Sequence, residues 1–432
     1  MKASCRIERA ILVMVALLLW SPAAPAAESA PGDSTAVSDS LIFKPLPEDS
    51  EQPDEPLVLN AYSGRRRTYY GDDLISEPGT GPGGFYGFDV VGDYNRVDRV
   101  RLGLRYEIQP RDATLPRIGA RAEYAFQRDR ALYGVQLEQP FPKHAPLAIG
   151  VSMMRITDHF DLQHTDDVEN SLTLAVDHMD YRDYFERESY GAYLSYRIPR
   201  ITTASIRYRT DTFRSLPDEG KPWSVFDEDE PIRVNPAIDD GEARLVAWRF
   251  ERQRYRHPGS ESGFYHWIDI ERAGRGMGGD FSYVRLLADL RSVVRLSPAT
   301  TLALRGVAGH NASGTLPIQR QFTLGGVDGL RAHPNARYRA DQIVLAQLEY
   351  TVGLWRLRSE YFDGGLHAIV FLDSGAAWSN PANEFDPDRQ HFQTDAGFGL
   401  STSEDNVRVY FAKNLLEPDS DFLVTVRLQR PF

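Results

Sequence analysis

From about Phe85 onward, apolar and polar residues alternate with a period of two, and the alternation recurs to the end of the chain. The stretch 99–108 shows it most cleanly. Val100, Leu102, Leu104, Tyr106 and Ile108 share one face, and Arg99, Arg101, Arg105 and Glu107 share the other. Successive side chains of a strand point to opposite faces, so such a segment is a strand with one apolar and one polar side. About sixteen of these segments lie between 86–94 and 421–431. Each is close to the roughly 9–11 residues that a tilted strand needs to cross a bilayer. The polar sides are densely charged on strand after strand, which suits a water-filled lumen. After residue 26 no apolar run reaches the ~18 residues of a membrane helix. That excludes a helical membrane protein. A mean hydropathy of −0.41 fits a barrel that hides its apolar half by alternation. The expected fold class is all-β, a transmembrane antiparallel β-barrel of about sixteen strands.

The two ends support export. Lys2, Arg6 and Arg9 precede an apolar run from Ala10 to Trp20, and the small residues Ala24 and Ala26 follow. These are the three parts of a signal peptide, expected to be cleaved near Ala26. The chain closes on an amphipathic strand. Phe422, Val424, Val426 and Leu428 lie on one face, Thr425, Arg427 and Gln429 on the other, and Phe432 is last. An exported chain ending this way resembles outer-membrane barrels, in which the terminal pattern is an assembly signal. Here Val426, Leu428 and Phe432 would carry it, while Arg430 stands where another apolar residue is usual. Cys5 is the only cysteine and leaves with the signal, so the mature chain has no disulfide and no thiolate metal site. A net charge of −12 offers nothing to nucleic acid.

Between these ends the expected organisation is a signal peptide (1–26), a disordered acidic extension and linker (27–83) and the barrel (84–432). The extension is rich in Pro, Ser and Ala, and Lys44 is its only base up to Glu55. Connection lengths then sort themselves. If the first strand rises from the periplasm, the short turns around 199–200, 296–300 and 402–405 fall on the periplasmic side. The long segments 158–188, 211–241, 310–341 and 376–392 all fall outside. Segment 170–185 is open to either extra strand or a short helix.

Three motifs in the last third carry the chemistry. Phe322–Tyr338 (FTLGGVDGLRAHPNARY) lies in the long loop before the twelfth strand, AQLEY (346–350) lies on that strand, and VFLDSGAAW (370–378) lies on the thirteenth. By alternation Gln347 and Glu349 point inward from the twelfth strand, and Phe371, Asp373 and Gly375 from the thirteenth. Neighbouring strands run about 4.8 Å apart, so two inward carboxylates repel and invite a shared cation. A guanidinium, with its fork of donors, can serve both. Arg331 is the candidate, on a loop where Gly325, Gly326 and Gly329 allow tight turns.

The trio resembles the BamA/TamA-like outer-membrane assembly superfamily, whose barrel is the bacterial surface antigen domain. The resemblance covers roughly 85–432 and points to the short type without periplasmic POTRA domains. It implies a loop-six lid or lock. Arg331 falls on the motif arginine of loop six, Glu349 on the acid of strand twelve, and Asp373 with Gly375 on the F-x-D-x-G element. Ala332 and His333 replace the glycine and aromatic residue usual after that arginine. Segments 94–98 and 181–188 also look like the short members.

The resemblance implies assembly or translocation of proteins at the outer membrane, with a seam between the first and last strands that opens to template client strands. Its partners would be outer-membrane lipid, the barrel-assembly machinery during biogenesis, and client outer-membrane or secreted proteins. A channel or surface-antigen barrel without insertase activity is the alternative. An enzyme has least support, because no Ser/His/Asp set is legible. His159 and His164 sit among aspartates without a metal-ligand spacing, so a solvated loop is the plainer reading. No cofactor and no metal are expected.

Overall fold

The computed structural model describes residues 74–75 and 85–428, apart from 111, 113, 142–146, 199–201, 219, 227–231, 253–261, 359–362, 403–406 and 418. The signal peptide, most of the extension and Phe432 therefore lie outside the described residues.

Sixteen strands form one antiparallel wall, each paired with the next. They are β1 (Phe85–Asn95), β2 (Arg99–Gln109), β3 (Arg117–Ala125), β4 (Arg130–Pro140), β5 (Leu147–His159), β6 (Tyr184–Ile198), β7 (Thr202–Ser215), β8 (Gly241–Arg252), β9 (Gly263–Ala273), β10 (Tyr283–Ser297), β11 (Thr300–Gly314), β14 (Gln342–Arg358), β15 (Asp363–Trp378), β16 (Gln393–Thr402), β17 (Arg408–Asn414) and β18 (Leu423–Arg427). A separate two-stranded hairpin, β12 (Phe322–Leu324) with β13 (Tyr338–Ala340), lies between β11 and β14, in the sixth connection on the side opposite the short turns. One helix, α1 (Asp167–Asp177), precedes β6.

The wall is inside out compared with a soluble sheet. Val90, Leu102, Leu104 and Val370 are 64, 50, 47 and 60% exposed, whereas Arg101, Glu107, Arg209 and Asp373 are buried. Apolar side chains turned outward in this number need lipid. The inward charges are stable only because they are paired. Arg101 meets Asp93 at 2.9 Å and Glu123 at 3.6 Å. Arg209 meets Asp211 at 2.6 Å and Glu271 at 3.3 Å. Asp289 takes Arg291 at 2.6 Å and Arg305 at 2.9 Å.

The upper lumen is filled rather than open. Phe160, Phe185, Phe213, Tyr283, Phe322, Leu324 and Leu330 form one buried cluster. Phe322 packs where β11 has Gly309, whose added Cβ would lie 2.6 Å from the ring. Against β3 and β4, the Leu74 and Ile75 amides donate to Gln136 Oε1 at 2.6 and 3.2 Å. Gly119 and Gly134 leave room for Leu74. These two residues belong to the stretch read as a linker, yet both are buried inside the wall.

Some boundaries differ from the sequence reading. The open segment 170–185 resolves into most of α1 and the start of β6 at Tyr184, inside the long segment 158–188. Asp166 caps the helix by accepting the Val168 amide, and His178 closes it in the left-handed region at φ 57°. The first strand is a full 11 residues. β14 and β15 are 17 and 16 residues long, beyond the roughly 9–11 of a minimal crossing. The β12–β13 hairpin was not expected, because three residues per strand are too few to show a period.

If both ends of the wall face the periplasm, Val225→Cys in the β7–β8 loop should label on intact cells with a membrane-impermeant maleimide. Ala299→Cys in the β10–β11 turn should label only after the membrane is opened. The opposite pattern would invert the topology.

Candidate functional site

The connection between β11 and β14 folds back into the barrel. Gly325 and Gly326 take φ values of 113° and 87°, a region that side chains disfavour. The Gly326 amide donates to the carbonyls of Leu330 and His333, both at 3.1 Å, and Gly329 donates to Gly326 at 3.0 Å. This tight coil delivers Arg331, 1% exposed, to the inner wall. The Arg331 Nε and Nη2 donate to the two oxygens of Asp373, each at 2.7 Å. Its Nη1 donates to Glu349 Oε2 at 3.0 Å. The flat faces of the guanidinium are covered as well: its carbon lies 3.7 Å from the Phe371 ring centre and 4.9 Å from that of Tyr410. Gly375 lies beside the hairpin, where an added Cβ would stand 2.8 Å from the Val344 carbonyl and 3.4 Å from Leu324.

Burial alone would lower the pKa of Arg331, but Asp373 and Glu349 hold it above the ordinary arginine value. The guanidinium stays charged under any physiological condition.

Four further residues complete the site, and three of them, Arg408, Tyr410 and Asp395, lie outside the three motifs. Gln347 donates to the Gly329 carbonyl at 2.8 Å and so holds the coil. Arg408 donates to Glu349 Oε1 at 2.5 Å, and the Tyr410 hydroxyl donates to Glu349 Oε2 at 3.0 Å. Asp395 lies directly across from Asp373 in the β15–β16 register. Its Oδ2 accepts the Ala332 amide at 2.7 Å and contacts His333 Nδ1 at 3.1 Å. The departures at 332 and 333 thus have a structural role. Ala332 packs on the Ile369, Phe371, Tyr410 and Ala412 cluster, and His333 faces Asp395 and the Tyr338 ring. Parity alone, applied to 393–402, would have pointed Asp395 inward beside Asp373.

Other candidates play different parts. Among the described residues, no group of three His, Cys, Asp or Glu is placed to hold a metal ion. Burial, reinforced by Arg305 and Arg291, pushes the His164 pKa down to about 3. His164 is a neutral packing residue whose backbone amide donates to Asp328 at 2.8 Å. The glycine-rich stretch 274–279 forms a single 3-10 turn at Arg275–Met277 between β9 and β10. Val426 lies on β18 and Leu428 just past it, with Thr425 and Arg427 turned inward.

A sixteen-stranded wall with lipid-facing apolar residues and a loop pinned inside by a buried arginine defines an outer-membrane β-barrel with a loop-six lock. The model of the Omp85 superfamily domain matches residues 117–403, and the chain belongs to that superfamily. The fold is similar to that of BamA from Haemophilus ducreyi lacking POTRA domains 1-3, with 13% identity and a TM-score of 0.50 over 80% of this chain and 70% of that one. CdiB from Escherichia coli gives 11% identity and a TM-score of 0.45 over 81% of this chain. CdiB from Acinetobacter baumannii gives 13% and 0.42 over 79%. The chain spans 62% and 58% of the lengths of those two proteins. No curated protein matches it.

Removing Arg331 would leave buried carboxylates facing one another, a loss on the order of 3–5 kcal/mol. Arg331→Ala should lower the temperature at which the barrel unfolds on gels and open the 315–341 loop to trypsin. Arg331→Lys should recover part of both, because an ammonium cannot fork between two acids. Full heat stability and a protected loop in Arg331→Ala would show that no lock exists.

His164 generates an acid sensitivity. Its folded pKa lies below the unfolded value near 6.5, so the unfolded chain binds the extra proton and stability falls as pH drops from 6.5 toward 3. At pH 5 the loss should be about 2 kcal/mol. His164→Gln should flatten that part of the pH profile, and an unchanged profile would remove His164 as its source.

Proposed function

We propose that this barrel assists the assembly or translocation of other proteins at the outer membrane. The observation that carries the reading is the Arg331 site on a wall of the Omp85 superfamily. A loop locked into the lumen makes the upper barrel rigid, and the first and last strands are then the place where the wall can part. Among the described residues, β18 pairs with β17 over five residues. An edge strand with free backbone groups is a template for an incoming strand. The client class is therefore an unfolded outer-membrane or secreted polypeptide. No catalytic group and no cofactor enter this role. The signal would direct export and be cleaved near Ala26, and the barrel would itself be folded by the barrel-assembly machinery.

A channel without insertase activity is the second reading. Inward charges such as Arg207, Arg249 and Asp269 favour it. The packed hairpin and the Phe160–Phe322 cluster weigh against a wide pore.

Depletion followed by quantitative outer-membrane proteomics separates the two. The assembly role expects a specific set of other barrels or secreted proteins to fall by several fold. An unchanged proteome, together with steady single-channel conductance in planar bilayers, would replace it with the channel.

A further inference from the structure

Helix α1 touches both ends of the wall at once. On β1, Ser171 Oγ accepts the Tyr94 amide at 2.8 Å and donates to Asp93 Oδ1 at 2.9 Å. On β18, Arg427 Nε donates to Glu169 Oε1 at 2.5 Å. Glu169 and Ser171 are two residues apart, which is about 3 Å along a helix axis. A single helical turn therefore reaches the first and the last strand from the lumen side.

Each contact takes the place of something a seam would otherwise leave loose. Tyr94 is on an edge strand of the wall, and a side chain satisfies its backbone donor, which a neighbouring strand would otherwise take. Arg427 is 1% exposed, so β18 is anchored by a buried cation as well as by its ladder with β17. The same arginine gives Nη1 to the Val327 carbonyl and to Asp328 Oδ1, both at 3.0 Å. Asp328 in turn accepts the His164 amide and the Thr165 hydroxyl at 2.8 and 3.2 Å, just before α1.

The helix is itself well held. Arg182 pairs with Asp167 at 2.7 Å, and Asn170 donates to Asp180 at 3.1 Å and to the Tyr184 hydroxyl at 2.9 Å. Asp180 also accepts the Arg96 amide at 3.0 Å, at the turn between β1 and β2. A rigid helix with one grip on each edge is a clamp.

We infer that α1 is a latch across the seam between β1 and β18, closed by Ser171 on one side and by the Glu169–Arg427 pair on the other. Its release loosens both terminal strands from the helix, while loop six stays pinned through Arg331 on β14 and β15 and keeps its own hold on Arg427. The latch is mechanical and stands on these contacts alone. Its use as a gate for client strands rests on the assembly reading.

Hydrogen exchange read by mass spectrometry on the full chain in detergent micelles tests it. Glu169→Ala should raise exchange about tenfold at 423–427, equivalent to about 1.4 kcal/mol of local opening. Ser171→Ala should do the same at 91–95. Amides 343–352, 367–376 and 325–333 should keep their wild-type protection. Should α1 itself unfold in Glu169→Ala, Glu169→Leu decides, since it keeps a strong helix former and leaves Arg427 its contacts with Val327 and Asp328: raised exchange at 423–427 supports the latch. Unchanged exchange at 423–427 in Glu169→Leu and at 91–95 in Ser171→Ala would overturn it. That failure would leave the assembly reading standing, which falls only on an unchanged outer-membrane proteome after depletion.

Discussion

Glu349, Asp373 and Asp395 face the lumen from three adjacent strands, β14, β15 and β16, with Asp373 and Asp395 directly opposed in register. Strands run about 4.8 Å apart, so three buried carboxylates at this spacing are untenable without cations. The wall supplies one, Arg408, to Glu349. The other comes from Arg331, and it must be carried in on a loop. Everything above it follows from that requirement. The glycine coil at 325 and 326 turns the chain, Gln347 holds the coil, and the hairpin strands pack Phe322 and Leu324 into the upper lumen.

The same rule, that charge is buried only in company, organises the rest of the interior. Arg101, Arg209 and Asp289 each sit in a small cluster of opposite charge. Such pairs add little net stability by themselves, but breaking one is costly, so each cluster fixes the position of the elements that bear it. Arg427 is the case with most consequence. It joins the last strand to α1 and to loop six, so the plug and the seam share one residue.

The wall was largely legible in the sequence because lipid on one side and charge on the other enforce a strict period of two. Arg99–Gln109 and the β15 stretch around Asp373 are examples, and the same parity placed Glu349 and Asp373 inward. The rest was hidden for identifiable reasons. α1 is capped by Asp166 but lies in a polar loop, and its fit depends on Asp93 and Arg427, 78 and 258 residues away from their partners. The β12–β13 hairpin owes its form to Gly309 and Gly375, which make room for it from other strands. Leu74 and Ile75 look like linker until Gly119, Gly134 and Gln136 are seen around them. Arg408 and Tyr410 obey the parity rule, yet only their distance to Glu349 marks them as part of the site.

The central claim is that Arg331 and the carboxylates of the wall act as one unit. A double-mutant cycle between Arg331→Met and Asp373→Asn, with unfolding free energies measured in urea in detergent micelles, tests it most directly. The account predicts that the double variant is less destabilised than the sum of the singles by more than about 1 kcal/mol, as residues in one buried ion pair should be. Additive effects would mean that loop six is held by its packing alone, and would contradict the account.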